Sequence, residues 1–88
     1  MAAQAKVVMY GTAYCPYCVA ARTLLAKKGV QYEDISVFDD KAKRAEMETK
    51  SGGHTVPQIL IDDRAIGGFD ELYELDESGE LDRLLGRD

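Results

Sequence analysis

The chain has 88 residues, with 16 acidic against 11 basic side chains and a net charge of −5. That length suits one domain with a modest core, and the acidic balance argues against nucleic acid or an anionic membrane as a partner. No apolar stretch is long enough to span a bilayer, and residues 1–5 lack the basic region and apolar run of a secretory leader; the expected location is therefore the cytoplasm, with residues 1–5 loosely ordered.

The segment 6–10 (Lys-Val-Val-Met-Tyr) has the β-branched and apolar content of a central strand. A helix is expected from Pro16 to Lys28. Cys18, Ala21, Leu24 and Leu25 fall on one of its faces, and Gly29 stops it. Residues 31–37 read as a second strand carrying Tyr32, Ile35 and Val37. Strand, helix and strand make a βαβ unit, so these two strands should be parallel. A thin, mostly charged helix follows over 40–50, with Asp39 or Asp40 as N-cap and Gly52-Gly53 as its end. Residues 58–61 and 65–66 read as two strands of a tight hairpin around Asp62-Asp63. Gly67-Gly68 breaks the second of them. A helix over 70–77 carries Leu72, Tyr73 and Leu75, and a last helical segment over 81–85 offers Leu81, Leu84 and Leu85. The order βαβαββα, with a redox pair at the first strand–helix junction, predicts an α/β, thioredoxin-like fold: a mixed four-stranded sheet with helices on both faces.

Chemistry concentrates at Cys15-Pro16-Tyr17-Cys18, which holds both cysteines of the chain. Cys15 is expected where a strand hands over to a helix N-terminus, and Cys18 one turn inside. Unpaired N–H groups and the positive end of the helix dipole favour a thiolate there. Pro16 suits the first helical position, whose N–H has no partner anyway. Sulfurs at i and i+3 share a helix face, so one can attack and the other resolve. A structural zinc site wants four ligands, and the chain offers only this pair and His54. A structural disulfide closing so small a loop would add little stability. In a compartment that keeps thiols reduced, a redox dithiol is the expected reading, with no metal bound.

Two further motifs lie downstream, Thr55-Val56-Pro57 and Gly67-Gly68-Phe69-Asp70-Glu71. Together with the cysteine motif, at these separations, they resemble the dithiol glutaredoxins, small bacterial members especially, over about residues 7–85. The resemblance implies a glutathione-dependent thiol–disulfide oxidoreductase acting on protein–glutathione mixed disulfides and protein disulfides. It implies Cys15 as the nucleophile and Cys18 as the resolving thiol. Thr55, Val56 and Pro57 would form the family's cis-proline turn against the cysteinyl part of glutathione, an X-Pro bond being the one place where a cis peptide costs little. Gly68, Phe69 and Asp70 would hold the γ-glutamyl end, with glycine backbone and helix-start N–H groups near its carboxylate and Asp70 both capping the helix and pairing with the ammonium. Tyr17 would line the groove. Tyr14 is left without an assigned role.

One position departs from the pattern. The family commonly carries a lysine three residues before the nucleophile; here it is Thr12. Arg22, Arg44, Lys50 and His54 are the candidates for the cation that faces the glycyl carboxylate, with His54 nearest in sequence to the expected groove. Each also reads as a solvated surface charge. Glutathione is the expected co-substrate, with no bound cofactor. Expected partners are glutathionylated or disulfide-bonded proteins, ribonucleotide reductase among them, with glutathione reductase and NADPH acting indirectly on a monomer. Two alternatives stand beside this reading. One is a glutathione-ligated [2Fe–2S] cluster protein, against which Pro16 and Cys18 count. The other is a redoxin reduced by thioredoxin reductase, against which the Gly67–Asp70 motif counts.

Overall fold

A computed structural model describes residues 5–86. The expectation of a loose start falls, for residues 1–4, outside the described residues; Ala5 is described, and its N–H donates to the carbonyl of Leu85 at 3.4 Å. The elements are β1 (Val7–Gly11), α1 (Pro16–Lys27), β2 (Glu33–Ser36), α2 (Lys41–Ser51), β3 (Gln58–Ile61), β4 (Arg64–Gly67), α3 (Phe69–Ser78) and α4 (Glu80–Leu84). The strand order is β2-β1-β3-β4. β1 pairs parallel with β2 and antiparallel with β3, and β3 pairs antiparallel with β4. The sheet is mixed, as expected, and β1 is central.

Side chains alternate across a strand, so β1 feeds two cores. Val7 and Met9 join Ile59 and Ile61 against Cys18, Ala21 and Leu25 of α1, Leu72 of α3 and Leu81 of α4. Tyr10 and Leu60 point the other way and meet Val37 and Met47 of α2. Full burial of each such Leu is worth about 1.5–3 kcal/mol. Met47 is the one buried side chain among the described residues of α2. Tyr10 adds a polar tie to that helix, its hydroxyl donating to Glu46 Oε2 at 2.5 Å.

Local signals mark most boundaries. Asp40 caps α2, its Oδ1 accepting the Lys43 N–H at 2.9 Å. Lys28 closes α1 with left-handed Gly29 following, and Lys28 Nζ pairs with Asp76 at 3.0 Å and Asp82 at 2.9 Å. Asp62 and Asp63 both take positive φ, the signature of a type I′ hairpin. Asp62 also exchanges two hydrogen bonds with the Lys6 backbone. β2 is shorter than the expected 31–37. It is an edge strand with three of its four residues exposed, and Tyr32 and Val37 reach the interior from just outside it. β4 is longer than expected, since its pairing with β3 continues to Gly67.

Candidate active site

Cys15 occupies the N-cap position of α1, with an extended backbone and Pro16 as the first helical residue. The unpaired N–H groups of a helix start lie at its second and third positions, here Tyr17 and Cys18. Burial alone would push the Cys15 thiol up. The N–H and thiol of Cys18, the N–H of Tyr17 and the charge of Arg22 outweigh it and hold the thiol below its ordinary value. Cys18 is fully buried. Its burial, together with the neighbouring Cys15, pushes its thiol up against the opposing pull of the Thr12 N–H and Arg22. Both are free thiols. The pair is therefore asymmetric: a partly exposed sulfur that ionises readily and a buried one that does not.

Arg22 stands four residues after Cys18, one helical turn on. Its Nε lies 2.7 Å from Asp34 Oδ2 on β2. A Cβ at Gly11 would come within 3.0 Å of Cys18 Sγ and 3.5 Å of Arg22 Nη2. Gly11 thus leaves open a space that both the sulfur and the guanidinium border. Asp34 raises the affinity of Arg22 for its proton further, so the charge behind the dithiol is permanent.

Most of the remaining predicted residues come from far along the chain, and they gather in one groove whose Val56 side faces Cys15. The Val56–Pro57 peptide is cis, and the Cys15 thiol faces the Val56 carbonyl at 3.9 Å. Tyr17, Thr55, Val56, Pro57, Gly68, Phe69 and Asp70 all line one open groove of about 260 Å³, with Gln58, Gly67 and Glu71. Tyr14 projects into solvent, 86% exposed.

The start of α3 differs from expectation. Gly68, not Asp70, is the N-cap, because Glu71 reaches back and its Oε1 accepts the Gly68 N–H at 2.6 Å. Asp70 sits at the second helical position, exposed, with its carboxylate in the first turn. Gly67 has φ +117°, and a side chain there would run into Glu71; glycine is required on both counts.

The roles of three supporting residues escaped the sequence reading. Gln58 is buried, and its Nε2 donates to the Thr55 carbonyl at 2.9 Å. A polar residue opening an apolar strand was its only signal. Glu71 follows Gly68 at capping-box spacing. Asp34 had no local signal, because its partner lies across a parallel strand.

The four candidate cations separate. Arg22 is committed to Asp34. Lys50 borders a different recess, beside Lys6 and Tyr10. The His54 side chain is 83% exposed, with Nδ1 3.7 Å from Glu48, and it does not line the groove. Its nearness in sequence misled, because its carbonyl and not its ring is held, by Arg44 Nη1 at 3.0 Å. Arg44 alone of the four borders a recess shared with Thr12.

A thiol pair of this asymmetry, at a helix start and facing a cis-proline turn, is the arrangement of a thiol–disulfide oxidoreductase, and the four-stranded sheet is thioredoxin-like. The family model described as Glutaredoxin matches residues 7–66. Glutaredoxin 3 of Escherichia coli is 49% identical over 81 residues, covering 92% of this chain and 98% of its own length. A solution structure of glutaredoxin from Brucella melitensis superposes with a TM-score of 0.83 at 41% identity, covering 98% of this chain and 94% of that one. The crystal structure of a buckwheat glutaredoxin–glutathione complex gives the same TM-score at 28% identity, covering 93% and 77%. The chain belongs to the glutaredoxin family.

Proposed function

We propose that the protein is a glutathione-dependent oxidoreductase that reduces protein–glutathione mixed disulfides and protein disulfides through Cys15 and Cys18. The observation that carries this reading is the groove lined by Tyr17, the Thr55–Pro57 turn and the start of α3, whose Val56 carbonyl faces the Cys15 thiol. The buckwheat structure, a complex with glutathione, supports it.

In the proposed reaction the Cys15 thiolate attacks the glutathionyl sulfur of a mixed disulfide. The old S–S bond breaks, and the target leaves as a thiolate that takes up a proton. Cys15 then carries the glutathionyl group, with the tripeptide lying in the groove. Backbone at Val56 pairs with its cysteinyl part. The helix-start N–H groups after Gly68 receive its α-carboxylate, and Asp70 receives its ammonium. A second glutathione thiolate attacks the glutathionyl sulfur, releases glutathione disulfide and restores the Cys15 thiolate. With a protein disulfide, Cys15 forms a mixed disulfide with the target. Cys18 then attacks the Cys15 sulfur and frees the reduced target, and two glutathiones reduce the resulting Cys15–Cys18 disulfide. Exchange of this kind needs only thiolates and access, so the proposal includes no resident cofactor. A cytoplasmic setting with a reduced glutathione pool belongs to the same reading, as does regeneration of glutathione by an NADPH-dependent reductase.

The test is turnover of a glutathionylated peptide with glutathione as sole reductant. Sustained turnover is expected. Inactivity with glutathione, together with activity driven by a thioredoxin reductase, would overturn the proposal.

A further inference from the structure

Three rings lead away from the dithiol over the surface of α3. Tyr17, inside the redox motif, has its ring centroid 6.5 Å from that of Phe69 at an interplanar angle of 35°. Phe69 is 5.9 Å from Tyr73 at 38°, one helical turn further on. These spacings suit favourable tilted ring pairs. The row is not core: Tyr17 is 61% and Tyr73 48% exposed. Tyr73 lies outside the groove that Tyr17 and Phe69 help to line.

Two carboxylates flank the last ring on α3. Glu77 lies four residues after Tyr73, where helix geometry puts it next to the ring, and Glu74, directly after Tyr73, stands on the side of α3 that borders the recess with Arg64. Both are exposed. Neither is ion-paired among the described residues, unlike Asp76 on the neighbouring face, which binds Lys28. An exposed aromatic row edged by unpaired carboxylates matches one kind of side chain well: an apolar stem ending in a cation.

Resting on the function proposed above, we propose that Tyr73, Glu74 and Glu77 extend the site into a docking strip for the target polypeptide and select protein substrates with a Lys or Arg near the reacting cysteine. The groove takes the glutathionyl half of the mixed disulfide, and the strip takes the protein half. Tyr73 lies two ring-to-ring steps from Tyr17 of the redox motif, a span that about four residues of extended chain cover, so a cation about that far from the reacting cysteine can come within reach of Tyr73. The net charge of −5 draws the same substrates by longer-range attraction.

The experiment compares peptides with a single glutathionylated cysteine and either Lys or Glu four residues away, placed on either side. The mixed disulfide of glutathione and 2-mercaptoethanol serves as a reference with no polypeptide. For the wild type, kcat/KM for a Lys peptide should exceed that for its Glu counterpart by about tenfold, through KM, the combined effect of one cation–π contact and two exposed pairs. Raising ionic strength from about 0.05 to 0.5 M should shrink the preference. Tyr73→Ser combined with Glu74→Gln and Glu77→Gln should reduce it to about twofold or less once those contacts are gone, with turnover of the small reference retained. Equal turnover of Lys and Glu peptides by the wild type overturns the proposal, as does a preference that survives the triple substitution. Failure to turn over the small reference at all would instead remove the glutathione reading, and this inference with it.

Discussion

Arg22 and Asp34 join the redox helix to the edge strand, Nε to Oδ2 at 2.7 Å with Nη2 3.4 Å from Oδ1. The link is more than a surface ion pair, because the same guanidinium and the buried sulfur of Cys18 both border the space left by Gly11, and its charge acts on both thiols. A fixed positive charge behind two thiols favours both thiolates.

Arg22→Gln should therefore raise the titration of both cysteines. A partly screened charge at this range is worth about 1 kcal/mol, or roughly half to one pH unit. Thiolate absorbance against pH measures the shift. An unchanged titration would mean that the helix N-terminus alone sets the thiol acidity.

Limiting alkylation of the reduced protein near neutral pH should label Cys15 well before Cys18. Cys15 is held below the ordinary thiol value, and Cys18 is raised and buried. Peptide mapping reads the order. In turnover, Cys15→Ser should abolish activity. Cys18→Ser should keep the reduction of mixed disulfides and lose that of protein disulfides, because only the latter needs a resolving thiol.

Glu71→Ala removes the acceptor of the Gly68 N–H and should lower stability by about 1 kcal/mol, a typical cap loss. It should also raise KM for glutathione, since the same helix start forms one end of the groove. Denaturant unfolding and steady-state kinetics check the two parts separately. A stability loss with KM unchanged would detach Glu71 from ligand binding.

Thr12 and Arg44 border one recess. Arg44→Gln should weaken glutathione use by several-fold in KM, as expected for the loss of one exposed carboxylate contact of about 1 kcal/mol. Thr12→Lys should act in the opposite direction. If Arg44→Gln leaves KM unchanged, the glycyl carboxylate is held elsewhere.

Tyr10 and Glu46 give a pH dependence of stability. The Tyr10 hydroxyl holds the Glu46 carboxyl below its usual range. A carboxyl lowered in the folded state contributes stability above its unfolded pKa, and that contribution fades as pH falls through the folded value. The stability gap between wild type and Tyr10→Phe should thus be widest near neutral pH and narrow below about pH 4. Urea unfolding across that range measures it; a gap independent of pH would assign the effect of Tyr10 to packing alone.

Much of this protein was legible in its sequence because the signals were local. Cys15 and Pro16 mark a helix start within two residues. Asp40 caps α2 through a bond to Lys43, three residues on. Asp62-Asp63 marks a hairpin turn between two apolar runs, although Asp62 is also tied to the distant Lys6 backbone. The β-branched and apolar run at 6–10 marked the central strand. The pair of thiols, their place at a helix start and the chemistry available to them all follow from interactions that span about one helical turn.

Other features belong to the tertiary structure. The Val56 carbonyl faces Cys15 from 41 residues away, because β1 and β3 pair in one register and bring the Thr55–Pro57 turn alongside the helix start. Arg22 meets Asp34 because β2 lies parallel to β1, so a residue that reads as a solvated charge becomes the counter-ion of the dithiol. His54, close to the groove in sequence, turns outward, while Arg44, further away in the chain, borders Thr12. Capping and periodicity are decided by near neighbours along the chain. Which charge faces which sulfur is decided by sheet register, and that exists only once the strands have paired.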